Sequence, residues 1–234
     1  MAKYKSNKVT LVGFGPGDPD LLTIAGFKAL QNADIIYYDD LTNADYLKQF
    51  NAEKVYVGKR SGHHHAEQNQ INQMLLNSAH EGKRTVRLKG GDPMIFAHGS
   101  EEIEFLENNH IETQIIPGVT AATASAAQLK VSLTQRGVSS SVAFINGHSE
   151  KALTPNADTL VYYMGGAHLE QIGKELILKG LSPDTPALLV HNASLPNCKI
   201  FKTTIGNLHN NYPTPLTAII GNVGHQFFTT SEIS

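Results

Sequence analysis

From Lys8 onward, short β-branched apolar runs alternate with stretches in which apolar residues recur every three or four positions. That is the pattern of strands joined by crossover helices in a parallel sheet. The runs predict strands at 8–13, 34–38, 54–58, 84–89 and 112–116. The clearest helix is predicted at 67–80, where Ile71, Met74, Leu75, Ser78 and Ala79 form a narrow stripe that ends before Gly82. After the small-residue segment 120–127 the pattern changes. Strand-like runs at 141–146, 159–164, 187–191 and 217–221 are separated by one long helix, about 167–179, followed by Pro183 and Pro186. The later connections are too short for regular crossovers, which predicts a mixed sheet. The expected fold class is therefore α/β with two domains, an N-terminal parallel-sheet domain at 8–134 and a C-terminal mixed-sheet domain at 135–234.

Composition narrows the function classes. Over 234 residues the hydrophobic fraction is 41% and the charged fraction 17%, which is the balance of a folded globular chain. A net charge of -2 supplies no general attraction for nucleic acid or an anionic membrane, so an anionic ligand must be held by local Lys and Arg clusters. The single cysteine, Cys198, excludes an internal disulfide and a multi-cysteine zinc site. The N-terminal MAKYKSNK has no apolar leader core, and no run approaches the ~18 apolar residues of a membrane span. A cytoplasmic protein is expected.

Three loops follow predicted strands. The first, Val12-Gly-Phe-Gly-Pro-Gly-Asp-Pro-Asp-Leu-Leu22, has alternating glycines at 13, 15 and 17 and a proline at 16 that removes an N–H donor. It lacks the G-x-G-x-x-G spacing of a dinucleotide fingerprint and the Lys-Ser/Thr pair of a P-loop. The second is Arg87-Leu-Lys-Gly-Gly-Asp-Pro-Met-Ile-Phe96, and the third Pro117-Gly-Val-Thr-Ala-Ala122. All three leave the carboxyl ends of parallel strands, the edge where open α/β sheets bind ligands. Each taken alone also suits an ordinary turn or tight helix packing.

The segments VGFGPGDPDLLT, YDDL, VGKRSGHHHAEQNQIN, RLKGGDPMIF, IIPGVTAATASAA, LTQRG, VYYMG and LVHNASLP, in this order, cover nearly the whole chain. Together they resemble the uroporphyrinogen-III C-methyltransferases of the tetrapyrrole methylase superfamily. The resemblance implies a two-domain α/β fold that holds S-adenosylmethionine (SAM) in the cleft between domains, and a homodimer. It also implies methylation of uroporphyrinogen III at C-2 and C-7, giving precorrin-2 by way of precorrin-1 and leaving S-adenosylhomocysteine. By position, the implied SAM contacts are Pro16, Gly90, Gly91, Asp92, Ile95, Thr120, Ala121, Met164 and Ala193. Asp39 matches the family's proton acceptor and Lys59 its proton donor. The chain begins just before the SAM domain, so the expectation is that it lacks the module that carries dehydrogenase and ferrochelatase activities in fused relatives.

The substrate carries many carboxylates, and Arg60, Arg87, Lys89 and Arg136 are the cations expected to meet them. Alternation along the fourth strand places Lys83, Arg87 and Lys89 on one face and Val86 and Leu88 on the other. His63, His64 and His65 form no ligand set, since adjacent strand side chains diverge and no cysteine lies near. No metal is expected. Two departures from the family pattern concern the substrate. Phe96-Ala-His-Gly99 stands where the family usually reads Phe-Gly-Arg-Gly, and Leu133-Thr-Gln-Arg-Gly137 where it often has His in place of Gln. The first removes a permanent cation. Two alternatives remain open at this point: a methylase of a later precorrin, which would share the SAM loops, and a non-catalytic tetrapyrrole or nucleotide-binding module.

Overall fold

The protein is described by a computed structural model that covers residues 8–40, 42–58, 68–148 and 154–227. Contacts divide the chain into two compact units, Met1–Thr120 and Ala121–Ser234. The first unit holds strands β1 (Lys8–Gly15), β2 (Ile35–Tyr38), β3 (Glu53–Tyr56), β4 (Thr85–Gly90) and β5 (Glu112–Ile116). Its helices are α1 (Ile24–Asn32), α2 (Ala44–Leu47), α3 (Gln68–His80) and α4 (Gly99–Asn108). The strands pair in parallel in the order β3-β2-β4-β1-β5. From β1 the chain crosses toward β2, and from β4 it crosses the other way to β5. The carboxyl ends of β1 and β4 therefore flank the switch point of the sheet, the usual crevice for a ligand.

Helices cover both faces of this sheet. Val9, Leu11, Ile35 and Tyr37 pack with Ile71, Leu75, Leu76 and Ala79 of α3 and Leu106 of α4. On the other face Val12, Ile36, Val86 and Leu88 pack with Leu30 of α1 and Leu47 of α2. The α3 stripe differs from expectation in detail. Asn72 and Leu76 are buried, while Met74 is exposed. The buried face is thus wider than the stripe read from the sequence.

The second unit holds α5 (Ala121–Leu129), β6 (Val142–Asn146), β7 (Thr159–Tyr163), α6 (Leu169–Leu178), β8 (Pro186–His191), β9 (Lys199–Thr204) and β10 (Leu216–Gly221). Its sheet runs β6-β7-β10-β8-β9, parallel at β6-β7 and antiparallel elsewhere, so it is mixed as the pattern predicted. Leu169, Ile172 and Leu176 of α6 pack on Leu160, Tyr162, Leu189 and Ile220. Two features depart from the sequence reading. The small-residue helix α5 packs on β10 and so groups with the second unit, which moves the division from residue 134 to residue 120. Strand β9 was not predicted. It is an exposed edge with Lys199 and Lys202 in its short run, charges that protect an unpaired edge and disguise the strand.

Candidate functional site

The three glycine loops lock onto one another in the first unit. At the end of β1 the register slips between Gly13 and Gly15. Beyond the slip, Gly15 N donates to Gly91 O at 3.2 Å and Gly91 N donates to Gly15 O at 2.7 Å. Asp92 ties in the third loop. Its Oδ2 accepts from Gly118 N at 3.0 Å, and its Oδ1 accepts from Met94 N at 2.8 Å within its own turn. A Cβ on Gly13 would lie 2.6 Å from Gly118 Cα and from Gly91 O. One on Gly118 would overlap Gly91 O and sit 2.8 Å from Gly13 Cα. These glycines exist to let three backbones touch.

Gly91 is different. Its φ is +65°, which favours glycine, yet nothing lies within 4 Å of the place its Cβ would occupy. The backbone there faces open space on a rigid join, which fits a ligand held by main-chain contact. Pro16, Gly90, Gly91, Asp92 and Ile95 belong to this join, and Thr120 ends the third loop immediately before Ala121 opens α5. Phe96 and His98 follow with left-handed φ of 52° and 56°. The His98 ring meets Glu101 Oε1 at 2.9 Å on the surface.

Beside the join, β2 and β4 present a set of charges. Asp39, just past β2, receives a hydrogen bond from Arg87 Nη2 at 3.2 Å, and its carbonyl accepts from Thr42 Oγ1 at 2.7 Å. Arg87 also donates through Nε to Glu102 Oε1 at 3.2 Å and through Nη1 to Leu88 O at 2.8 Å. Lys89 Nζ donates to the same Glu102 oxygen at 2.8 Å. Arg87 and Lys89 are each only 4% exposed and Glu102 is 0% exposed. Burial lowers the Lys89 ammonium below its ordinary value and the Arg87 charge adds to that, while Glu102 and Asp39 pull it back up.

This corrects the picture of Arg87 and Lys89 as an open basic face. Their shared face was read correctly from alternation, but β4 is a central strand with helices on both sides, so that face is core. Lys83 lies outside the strand and pairs with Glu81 and Glu53 on the surface. Glu102, the residue that holds the two buried cations, was not singled out from sequence. The available signal was an acidic residue in register with Gly99 and Leu106 on the buried stripe of α4. An apolar stripe does not tolerate a carboxylate unless cations face it.

In the second unit, Met164 and Ala193 lie on one edge of the sheet, just past the parallel carboxyl ends of β7 and β8. Met164, Asn192 and Ser194 have φ of 57°, 51° and 71°. Left-handed non-glycine residues clustered at strand ends mark a shaped site. Gly147 and Gly165 touch there as well, since a Cβ on Gly147 would fall 2.6 Å from Gly165 Cα. Arg136 is not brought to this edge. It is exposed, and its neighbours Gln135 and Gly137 line a hollow of about 660 Å³ with Pro186 at the start of β8 and Asn222 past the end of β10. That is the opposite edge of the sheet. Lys59, Arg60 and His63 to His65 lie outside the described residues. Among the described residues, no group of three or more metal-ligating side chains occurs and no helix is long and apolar enough to cross a membrane.

Comparison with known proteins bears on this arrangement. Residues 8–209 match the family described as Tetrapyrrole (Corrin/Porphyrin) Methylases. The chain is 42% identical over 238 residues to a siroheme synthase of Psychrobacter arcticus, covering 95% of this chain and 43% of that protein. It is 45% identical over 200 residues to the chloroplastic S-adenosyl-L-methionine-dependent uroporphyrinogen III methyltransferase of Arabidopsis thaliana, covering 80% of this chain and 54% of that one. The chain thus spans about half the length of the curated relatives it matches. Among solved structures it is similar to uroporphyrin-III C-methyltransferase from Thermus thermophilus complexed with S-adenyl homocysteine. The TM-score is 0.81 and the identity 35%, over 94% of this chain and 100% of that one. With its parallel first sheet, mixed second sheet and locked strand-end loops, this chain belongs to the tetrapyrrole methylases.

Proposed function

We propose that this chain transfers methyl groups from SAM to C-2 and then C-7 of uroporphyrinogen III, giving precorrin-2 by way of precorrin-1 for sirohaem or cobalamin synthesis. The observation that carries the reading is the joined Gly13, Gly91 and Gly118 backbone with its open face at Gly91, on the same sheet edge as Asp39. The similarity to a uroporphyrinogen III methyltransferase and to a structure holding S-adenyl homocysteine supports the choice of cofactor and substrate.

When bound, SAM supplies a methyl group on a positively charged sulfur. The chain's own work is alignment and proton handling. Pro16, Gly90, Gly91, Asp92, Ile95, Thr120, Ala121, Met164 and Ala193 are assigned to holding the cofactor, mostly through backbone groups. A rigid join suits that task because a reacting pair held in line gains roughly 7–11 kcal/mol over free encounter. The methylated ring must shed a proton, and Asp39, fixed by Arg87, is assigned as acceptor. Lys59 is assigned as the donor. Because Arg87 and Lys89 are already engaged with protein carboxylates, pairing with substrate carboxylates falls to cations such as Arg60. The reading includes a homodimer in the cytoplasm, for which sedimentation of the purified chain and cell fractionation are the tests.

Calorimetry with S-adenosylhomocysteine and with NAD tests the cofactor assignment. Binding of the first and not the second is expected, because the Gly13–Gly17 loop lacks the spacing that cradles a pyrophosphate. Tight NAD binding with no response to S-adenosylhomocysteine would refute it.

A further inference from the structure

Glu102 is buried, charged and used by no step described above. Its Oε1 accepts from Arg87 Nε at 3.2 Å, Lys89 Nζ at 2.8 Å and Gln68 Nε2 at 3.1 Å. Its Oε2 is buried and has no hydrogen-bond partner among the described residues. A carboxylate this far from water is sustained only by its attraction to fixed cations. The lopsided bonding, three donors on one oxygen and none among the described residues on the other, marks it as a group that holds its neighbours.

The neighbours connect it to Asp39. A guanidinium is planar, so fixing Nε toward Glu102 also fixes the direction in which Nη2 points, and Nη2 points at Asp39 Oδ2 at 3.2 Å. Tyr37 O at 3.5 Å and Leu88 O at 2.8 Å hold Nη1. Among the described residues, the charged groups of the cluster are Asp39 past β2, Arg87 and Lys89 on β4, and Glu102 on α4. From α3, Gln68 contributes only neutral amide contacts, to Glu102 and to Asn72. Without the Glu102 carboxylate, Arg87 Nε loses its acceptor and the guanidinium is no longer held in the plane that aims Nη2 at Asp39.

We infer that Glu102 is a positioning residue for methyl transfer, acting through Arg87 to set the orientation of Asp39. This rests on the reading of Asp39 as the acceptor. Lys89 supplies an independent reporter, because Glu102 is the leading influence that keeps its ammonium from falling further below the ordinary value.

Two measurements test the inference. In the ligand-free protein, the Lys89 ammonium is followed by NMR through an alkaline titration in the wild type, Glu102→Gln and Glu102→Asp. Glu102→Gln is expected to move the Lys89 midpoint down by about one pH unit, with Glu102→Asp close to the wild type. An unmoved Lys89 midpoint in Glu102→Gln overturns the inference. The second is a double-mutant cycle on methyl transfer. Glu102→Gln is expected to lower kcat on the order of ten- to a hundred-fold with S-adenosylhomocysteine affinity unchanged, and to cost less than about twofold more when Asp39 is already Asn. An equal loss in both backgrounds shows that Glu102 does not act through Asp39, and overturns it. If Glu102→Gln does not fold, Glu102→Asp enters the same cycle, where a displaced carboxylate is expected to give a smaller loss that also vanishes in the Asp39→Asn background. A wild type with no methyl transfer refutes the proposed function, while the Lys89 titration still reports on the cluster.

Discussion

The contrast between Gly118 and Gly91 separates a glycine required by backbone contact from one assigned to cofactor contact. In Gly118→Ala the new methyl overlaps Gly91 O and lies 2.8 Å from Gly13 Cα, and both obstacles are backbone. The loops must part by about 1 Å to reach an ordinary contact distance. That separation strains the Gly118 N to Asp92 bond and the two Gly15–Gly91 bonds. Losing one charge-assisted bond costs about 1.5–3 kcal/mol and each neutral one about 0.5–1.5 kcal/mol, so partial loss of the set amounts to roughly 3 kcal/mol. In Gly91→Ala the methyl meets nothing, and the cost is the left-handed backbone at φ +65°, about 1 kcal/mol. Urea unfolding measures both, and calorimetry with S-adenosylhomocysteine measures binding. The expected result is a well-folded Gly91→Ala protein with weakened binding and a strongly destabilised Gly118→Ala protein. Equal stability of the two variants, or full affinity in Gly91→Ala, would refute the reasoning.

Other outcomes follow from the same geometry. Asp39→Asn is expected to lower kcat by roughly 10² to 10⁴ and leave S-adenosylhomocysteine affinity unchanged, read by steady-state kinetics beside calorimetry. A wild-type maximal rate would remove Asp39 from the proton-accepting role. Glu102→Ala removes the carboxylate that Lys89 and Arg87 share, leaving Arg87 to Asp39, and should cost about 3–5 kcal/mol in unfolding experiments. Asp158 is held below its ordinary value by hydrogen bonds from the Ser140 backbone and side chain and from Ser141. Its folded value is depressed, so the stability it contributes is complete above the unfolded carboxylate value and is lost as pH falls through the folded one. Asp158→Asn should flatten that acidic limb of the stability profile, and an unchanged limb would contradict the assignment.

The strand positions were legible because central strands in a covered sheet must be apolar, and the runs at β1, β2, β7, β8 and β10 are. Alternation also sorted the side chains of β4 by face. What it could not supply was depth. Arg87 and Lys89 look like a basic surface until α3 and α4 cover them, and whether a cation is core or surface depends on a carboxylate fifteen residues beyond Arg87 on another element. The glycine loops were legible as loops, while the division of labour between Gly118, whose Cβ position is filled by backbone, and Gly91, whose Cβ position is open, is a property of three segments meeting in space. Edge strand β9 and the placement of α5 were hidden for a similar reason. Neither has a pattern of its own that says which sheet it joins.

The most direct test of the central claim is to supply the protein with uroporphyrinogen III and SAM labelled with ¹³C in the methyl group, then to examine the product by NMR and mass spectrometry. The account predicts two labelled methyl groups on the product, on ring carbons C-2 and C-7. Failure to transfer label to uroporphyrinogen III, with transfer only to a later precorrin or to none, would contradict it.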